Sequence, residues 1–130
     1  MQSVIARHEK LLHELLESPA LPFDENLHSA LPFGGGVYRI FQKGSNWSSS
    51  EYVGRTGNLH ERVYCNHFMG NRRASALKKK LIDQRVELDE EGVKQYMKRQ
   101  CSVQFLIIEE SQALSFEHFA LAILRPKYND

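Results

Sequence analysis

The chain has 130 residues, of which 42% are apolar and 25% charged, and its formal net charge is +1. That length and balance suit one globular domain with its own core. No apolar run approaches the roughly 18 residues of a membrane-spanning helix, and the N-terminus lacks the apolar stretch of a secretory signal. An intracellular, cytoplasmic protein with no membrane role is therefore expected.

Residues 3–17 (SVIARHEKLLHELLE) place Val4, Ile5, Leu11, Leu12, Leu15 and Leu16 at helical spacing, with Ser3 as N-cap and Pro19 and Pro22 as stops. Residues 18–35 read as loop, with a short turn near residues 26–30. The helix before them reads as an appendage or lid. Gly34-Gly35-Gly36 precedes Val37-Tyr38-Arg39-Ile40-Phe41-Gln42, an aromatic and β-branched run that predicts a strand. Residues 43–50, including Trp47, read as a polar hairpin loop, and residues 51–54 as the antiparallel partner strand. Trp47 either anchors that loop or stacks on a base.

Asn58 is placed to cap a helix running to about Phe68, with Leu59, Arg62, Val63 and Asn66 on one side. His67 follows Arg62 by five residues, about 140° round an ideal α-helix. Further helices are predicted over residues 74–84 and 90–99, a strand over 101–108, and a last helix from about Gln112 to Leu124, before Pro126. Cys65 and Cys101 fit a reduced compartment and free thiols. A zinc site from these with His60 and His67 has no CxxC or HxxxH spacing behind it.

Two features of this string bear chemistry. Residues 72–99 hold Arg72, Arg73, Lys78, Lys79, Lys80, Arg85, Lys94, Lys98 and Arg99, interrupted by acidic residues; such a cluster is either a solvated face or a phosphate contact. In the last helix Ala113, Glu117, Ala120, Leu121 and Leu124 share a face. A buried unpaired carboxylate is costly. Glu117 is therefore exposed at an edge, paired with a base, or a ligand for a metal ion.

The order and spacing of Gly36-Val37-Tyr38, Tyr52-Val53-Gly54, Arg62 ten residues after Tyr52, and Glu117 resemble the GIY-YIG nuclease superfamily. The closing segment, Glu117, Pro126 and Tyr128-Asn129, is similar to that of the nuclease domain of the bacterial excision-repair incision subunit UvrC. The resemblance covers residues 34–129. It divides the chain into a 1–33 extension (helix and loop) and a 34–130 GIY-YIG-like nuclease domain. It implies an α+β fold, a three-stranded antiparallel sheet flanked by helices, here with an extra N-terminal helix.

It also implies an activity: hydrolysis of phosphodiester bonds in nucleic acid, DNA in most members, dependent on Mg²⁺ or Mn²⁺. Glu117 would be the metal ligand, a hard oxygen suited to such an ion. Arg62 would hold two phosphate oxygens in its planar fork. Tyr38 is carried over as the group that activates water, and Tyr52 as its orienting partner. Arg55, Lys78, Lys79, Arg72 and Arg73 are the candidate phosphate contacts, and Asn129 positions backbone or substrate near the site.

Many members carry a histidine or tyrosine four residues after the arginine. Here that position is Asn66, and His67 comes one later. Either the helix distorts and His67 reaches the site as a catalytic residue, or Asn66 takes the place and cannot act as a base. Under the second reading the chain is a catalytically weak or inactive nucleic-acid-binding module. The residues leave open DNA against RNA, repair against restriction, and monomer against homodimer.

Overall fold

The computed structural model describes residues 3–44 and 49–129, so Trp47 and half of the predicted hairpin loop lie outside the described residues. The elements run α1 (Val4–Glu17), β1 (Leu21–Pro22), α2 (Leu27–Ala30), β2 (Gly36–Gln42), β3 (Ser50–Thr56), a π-helix (His60–Phe68), α3 (Ala76–Asp83), α4 (Glu90–Gln100), β4 (Cys101–Ile107) and α5 (Glu110–Leu124). The sheet order is β1-β4-β2-β3, antiparallel throughout. The sheet has four strands where three are expected. The extra one, β1, is a two-residue edge piece in the segment read as loop; it is too short for an alternation signal, and its proline is tolerated because the strand lies at an edge.

Alternation along β2 builds two cores. Tyr38 and Ile40 face the π-helix, α3 and α4, among Leu59, Val63, Leu77, Leu81, Val93 and Met97. Val37 faces α1 and α5, among Leu15, Val53, Phe116, Ala120 and Leu124. The N-terminal helix is thus a wall of the second core and not an appendage. Ser3 caps it, accepting the Ala6 N–H at 3.0 Å. Its far end is held by Gln104, whose Nε2 donates to the carbonyls of Leu16 and Ser18, each at 2.9 Å. Gln104 in turn accepts from Arg39 Nη1 at 2.6 Å, and burial lowers the Arg39 guanidinium to about 10.

Beyond α5 the chain turns through Arg125, in the left-handed region at φ 46°, and runs back along β3. The Lys127 and Tyr128 N–H groups donate to the carbonyls of Ser50 and Glu51 at 3.0 and 2.8 Å. Asn129 completes the cover. Its Oδ1 accepts the Val53 N–H at 2.9 Å and its Nδ2 donates to the Val53 carbonyl at 2.8 Å. An amide side chain here does what a neighbouring strand would do, satisfying an edge that would otherwise recruit another chain. Asn129, expected to position backbone or substrate, has both ends of its amide committed to β3.

Candidate active site

The two glycines of the strand motifs set the geometry. A Cβ on Gly36 would strike the Leu106 carbonyl, so only glycine lets β2 lie this close to β4 here. A Cβ on Gly54 would strike the Tyr38 ring, with Cε1 at 2.9 Å. Tyr38 and Gly54 are register partners, and the tyrosine lies across the space that a side chain on β3 would fill. Its hydroxyl is thereby carried out over the edge strand.

The helix after β3 decides which side chain meets that hydroxyl. Asn58 Oδ1 accepts the Glu61 N–H at 3.0 Å at its start. At its end the Met69 N–H donates to the Tyr64 carbonyl, five residues back, at 2.9 Å. A π-helix bonds i to i+5, so residues five apart come round to the same side. Arg62 and His67 therefore face the sheet together. His67 is fully buried, with Nε2 2.7 Å from the Tyr38 hydroxyl and Nδ1 2.7 Å from Ser75 Oγ. Of the two readings of the displaced histidine, the geometry matches the distorted helix.

The surrounding charges follow from burial. Burial foremost, then Arg62 and Lys78, holds the His67 imidazole down at about 3, so the ring is neutral. Burial pushes the Tyr38 phenol above its ordinary value, Tyr52 and Glu117 add to this, and Arg62 opposes it. Burial works against the Arg62 charge, but the two phenols outweigh it and its pKa is raised. Arg62 Nη1 also donates to the Ala74 carbonyl at 3.2 Å. The Tyr52 ring lies 6.2 Å from Tyr38 and 5.1 Å from His67, centroid to centroid.

Glu117 approaches from α5, on the other face of the sheet, at the same edge. Its side chain is 18% exposed and pairs with Arg55 of β3, Nε to Oε1 3.5 Å. The carboxylate on an apolar stripe is thus partly exposed and paired with a base. Among the described residues no group of three or more His, Cys, Asp or Glu side chains could hold a metal ion. Both His67 nitrogens are engaged, Cys65 is exposed and Cys101 is buried in the core. One half-buried carboxylate fits a hard cation that keeps most of its water, such as Mg²⁺ or Mn²⁺, and does not fit zinc.

The basic cluster is dispersed. Lys78, expected to touch phosphate, is 1% exposed; its Nζ donates to the carbonyls of Phe68 and Gly70 at 2.6 and 2.5 Å. It closes the end of the π-helix, and burial, then Lys94, lowers its pKa to about 8. Lys78 is therefore not a phosphate contact. Arg72 is bidentate to Glu90 at 2.9 and 3.0 Å, Lys79 pairs with Asp83 at 2.7 Å, and Arg73 is exposed. Ser75 is the site residue that sequence reasoning missed. Its signal was that of an N-cap, and its Oγ does accept the Lys78 N–H at 3.1 Å, but nothing in a serine before a helix announces a histidine partner.

No family model matches the chain, and no curated protein matches it significantly. Among solved structures it is similar to the GIY-YIG N-terminal endonuclease domain of UvrC from Thermotoga maritima bound to magnesium, its catalytic divalent cation. That likeness has 21% identity, 94% of this chain and 98% of that one covered, and a TM-score of 0.44. Two point mutants of the same domain, each bound to the catalytic divalent cation, give 20% identity, 94% and 97% coverage and a TM-score of 0.45.

Proposed function

We propose that the chain is a GIY-YIG-type endonuclease, hydrolysing phosphodiester bonds in DNA with a divalent cation. One observation carries this reading: Tyr38, Tyr52, Arg62 and His67 converge on one side of the edge strand while Glu117 reaches the Tyr38 surroundings from the other. Hydrolysis needs a water made nucleophilic, charge neutralised at phosphorus, and help for the leaving oxygen. A cation held by Glu117 would supply Lewis acidity toward the phosphate oxygen and lower the pKa of bound water. The Arg62 fork neutralises the equatorial oxygens as charge grows there. Tyr38, ionised when the cation is in place, takes the proton of the attacking water. An intracellular, nucleoid setting accords with this substrate, and no described helix is long and apolar enough to cross a membrane.

The hydrogen-bond chain behind Tyr38 assigns His67 its part. Ser75 Oγ accepts the Lys78 N–H and keeps its own proton and a second lone pair for His67 Nδ1, so the neutral ring can carry its proton on either nitrogen. Once Tyr38 is ionised, the tautomer with the proton on Nε2 points it at the Tyr38 oxygen. In this reading His67 is a donor that stabilises the phenolate, and not the base. Tyr38 is held protonated partly by the Glu117 charge. A cation on that carboxylate reverses the sign of the contribution and so couples metal binding to activation of the tyrosine.

The test is cleavage of labelled flap, nicked and duplex DNA, with an RNA strand alongside, in Mg²⁺ or Mn²⁺. Wild type is expected to produce cut strands, and Glu117→Ala and Arg62→Ala none. Equal cleavage by the Glu117 variant overturns the reading. Salt-dependent binding without product by any form supports the binding module instead.

A further inference from the structure

Phe33 is 71% exposed, an unusual position for a large apolar ring. It is nevertheless held firmly in place. The Pro32 carbonyl before it accepts the His60 N–H, and the Gly34 carbonyl after it accepts the Leu59 N–H, each at 2.9 Å. One face of the Phe33 ring is stacked on the His60 imidazole, centroids 4.5 Å apart and planes 29° from parallel. The row continues. His60 lies 5.6 Å from Tyr64 at 33°, and Tyr64 lies 5.7 Å from His28. Four rings, two from the segment before β2 and two from the π-helix, thus line the outer side of the helix whose inner side carries His67.

We propose that this row is a stacking platform for unpaired nucleobases of the substrate strand, a refinement that rests on the nuclease reading above. Phe33 has one face covered and the other open, which is the arrangement a stacked base needs. At the exposed end of the row the Phe33 and His60 planes lie within 29° of each other, so a base on the open face of Phe33 would extend a stack already begun. A cation borders the far end of the row. Beyond Tyr64, Phe68 lies 5.9 Å on, with Lys94 over its ring at 5.7 Å. Glu61, exposed on the same helix, opposes it, so stacking and not bulk charge dominates affinity here. Residues 28–33 thereby complete a binding surface that the core domain alone supplies only in part.

The experiment measures fluorescence anisotropy with Ca²⁺ replacing Mg²⁺. Three probes are used: a labelled single strand, the same strand with four central abasic sites, and a blunt duplex. The forms are wild type, Phe33→Ala and Phe33→Tyr. Phe33 is a surface residue, and circular dichroism melts check that both variants fold. Phe33→Ala is expected to weaken single-strand binding roughly five- to hundred-fold, the range for one lost aromatic–base stack. It should leave the abasic strand and the duplex unchanged, and Phe33→Tyr should bind as wild type does. Unchanged single-strand binding by Phe33→Ala, or an equal loss on all three probes, overturns the platform and leaves the nuclease reading standing. Wild type that binds none of the probes overturns both.

Discussion

His67 Nε2 lies 2.7 Å from the Tyr38 hydroxyl although His67 stands five residues after Arg62, and the π-helical register accounts for this. An α-helix would turn His67 about 140° away and bring Asn66 inward. Moving the imidazole one position back should therefore destroy the contact. The double variant Asn66→His/His67→Ala is expected to cleave no faster than His67→Ala alone, both roughly a hundred-fold or more below wild type, within the range for a lost hydrogen-bond donor to developing negative charge. Single-turnover cleavage rates would measure this. Recovery of wild-type rate by the double variant would mean that the helix accepts an α-register.

Gly54 gives a sharper steric test. An alanine methyl there would occupy space already held by the Tyr38 ring, whereas a Cβ on Gly57 would meet nothing within 4 Å. Gly54→Ala is expected to cost about 1–3 kcal/mol of stability through overpacking, and to lower the cleavage rate of the remaining folded protein by displacing the tyrosine. Gly57→Ala, three residues on, should change neither. Thermal melts and rates measured at a temperature where both variants are folded separate the two effects.

The contrast between these residues shows what a sequence can carry. Tyr38, Tyr52, Arg62 and Glu117 were legible because their order and spacing form a pattern, and the strands because β-branched and aromatic residues cluster in them. The π-register has no compositional mark: residues 60–68 would satisfy an α-helix, and the five-residue bonding, seen where Met69 donates to Tyr64, distinguishes the two. Lys78 was misread because it begins a run of three lysines. Its burial between Leu77 and Leu81 depends on two free carbonyls, of Phe68 and Gly70, being in reach. β1 and the docking of α1 through Gln104 depend on long-range contacts that no local window contains.

The buried neutral imidazole has a consequence for acid stability. His67 is held at about 3 in the folded chain, against about 6.5 when unfolded. Between those values the unfolded chain takes up a proton that the folded one refuses, so stability falls as pH drops from 6.5 toward 3. The limiting slope is about 1.4 kcal/mol per pH unit from this group. His67→Gln keeps polar atoms at the position and cannot titrate. Its melting temperature, lower at pH 7 because the hydrogen-bond chain is broken, should decline less steeply than that of wild type from pH 6.5 to 4.5. Parallel declines would assign the acid sensitivity to other groups.

Arg55 and Glu117 make the last prediction, because a cation already stands where a metal ion would bind. The pair is 3.5 Å long and its arginine is 40% exposed, which limits it to roughly 0.2–1 kcal/mol. A divalent ion on the carboxylate must overcome that competitor. Arg55→Gln is therefore expected to bind Mn²⁺ up to about five-fold tighter while binding nucleic acid less well, since it lacks the guanidinium that metal binding would free for a phosphate. Glu117→Gln should lose the Mn²⁺ site. The phenol of Tyr38 reports the same event from the other side. Glu117 is among the charges that raise its pKa, so saturating Mg²⁺ should lower it, seen as phenolate absorbance emerging at lower pH in wild type and not in Glu117→Gln. Calorimetry with Mn²⁺ and ultraviolet titration measure the two halves independently. Wild-type metal affinity in Glu117→Gln would place the ion elsewhere and separate it from Tyr38.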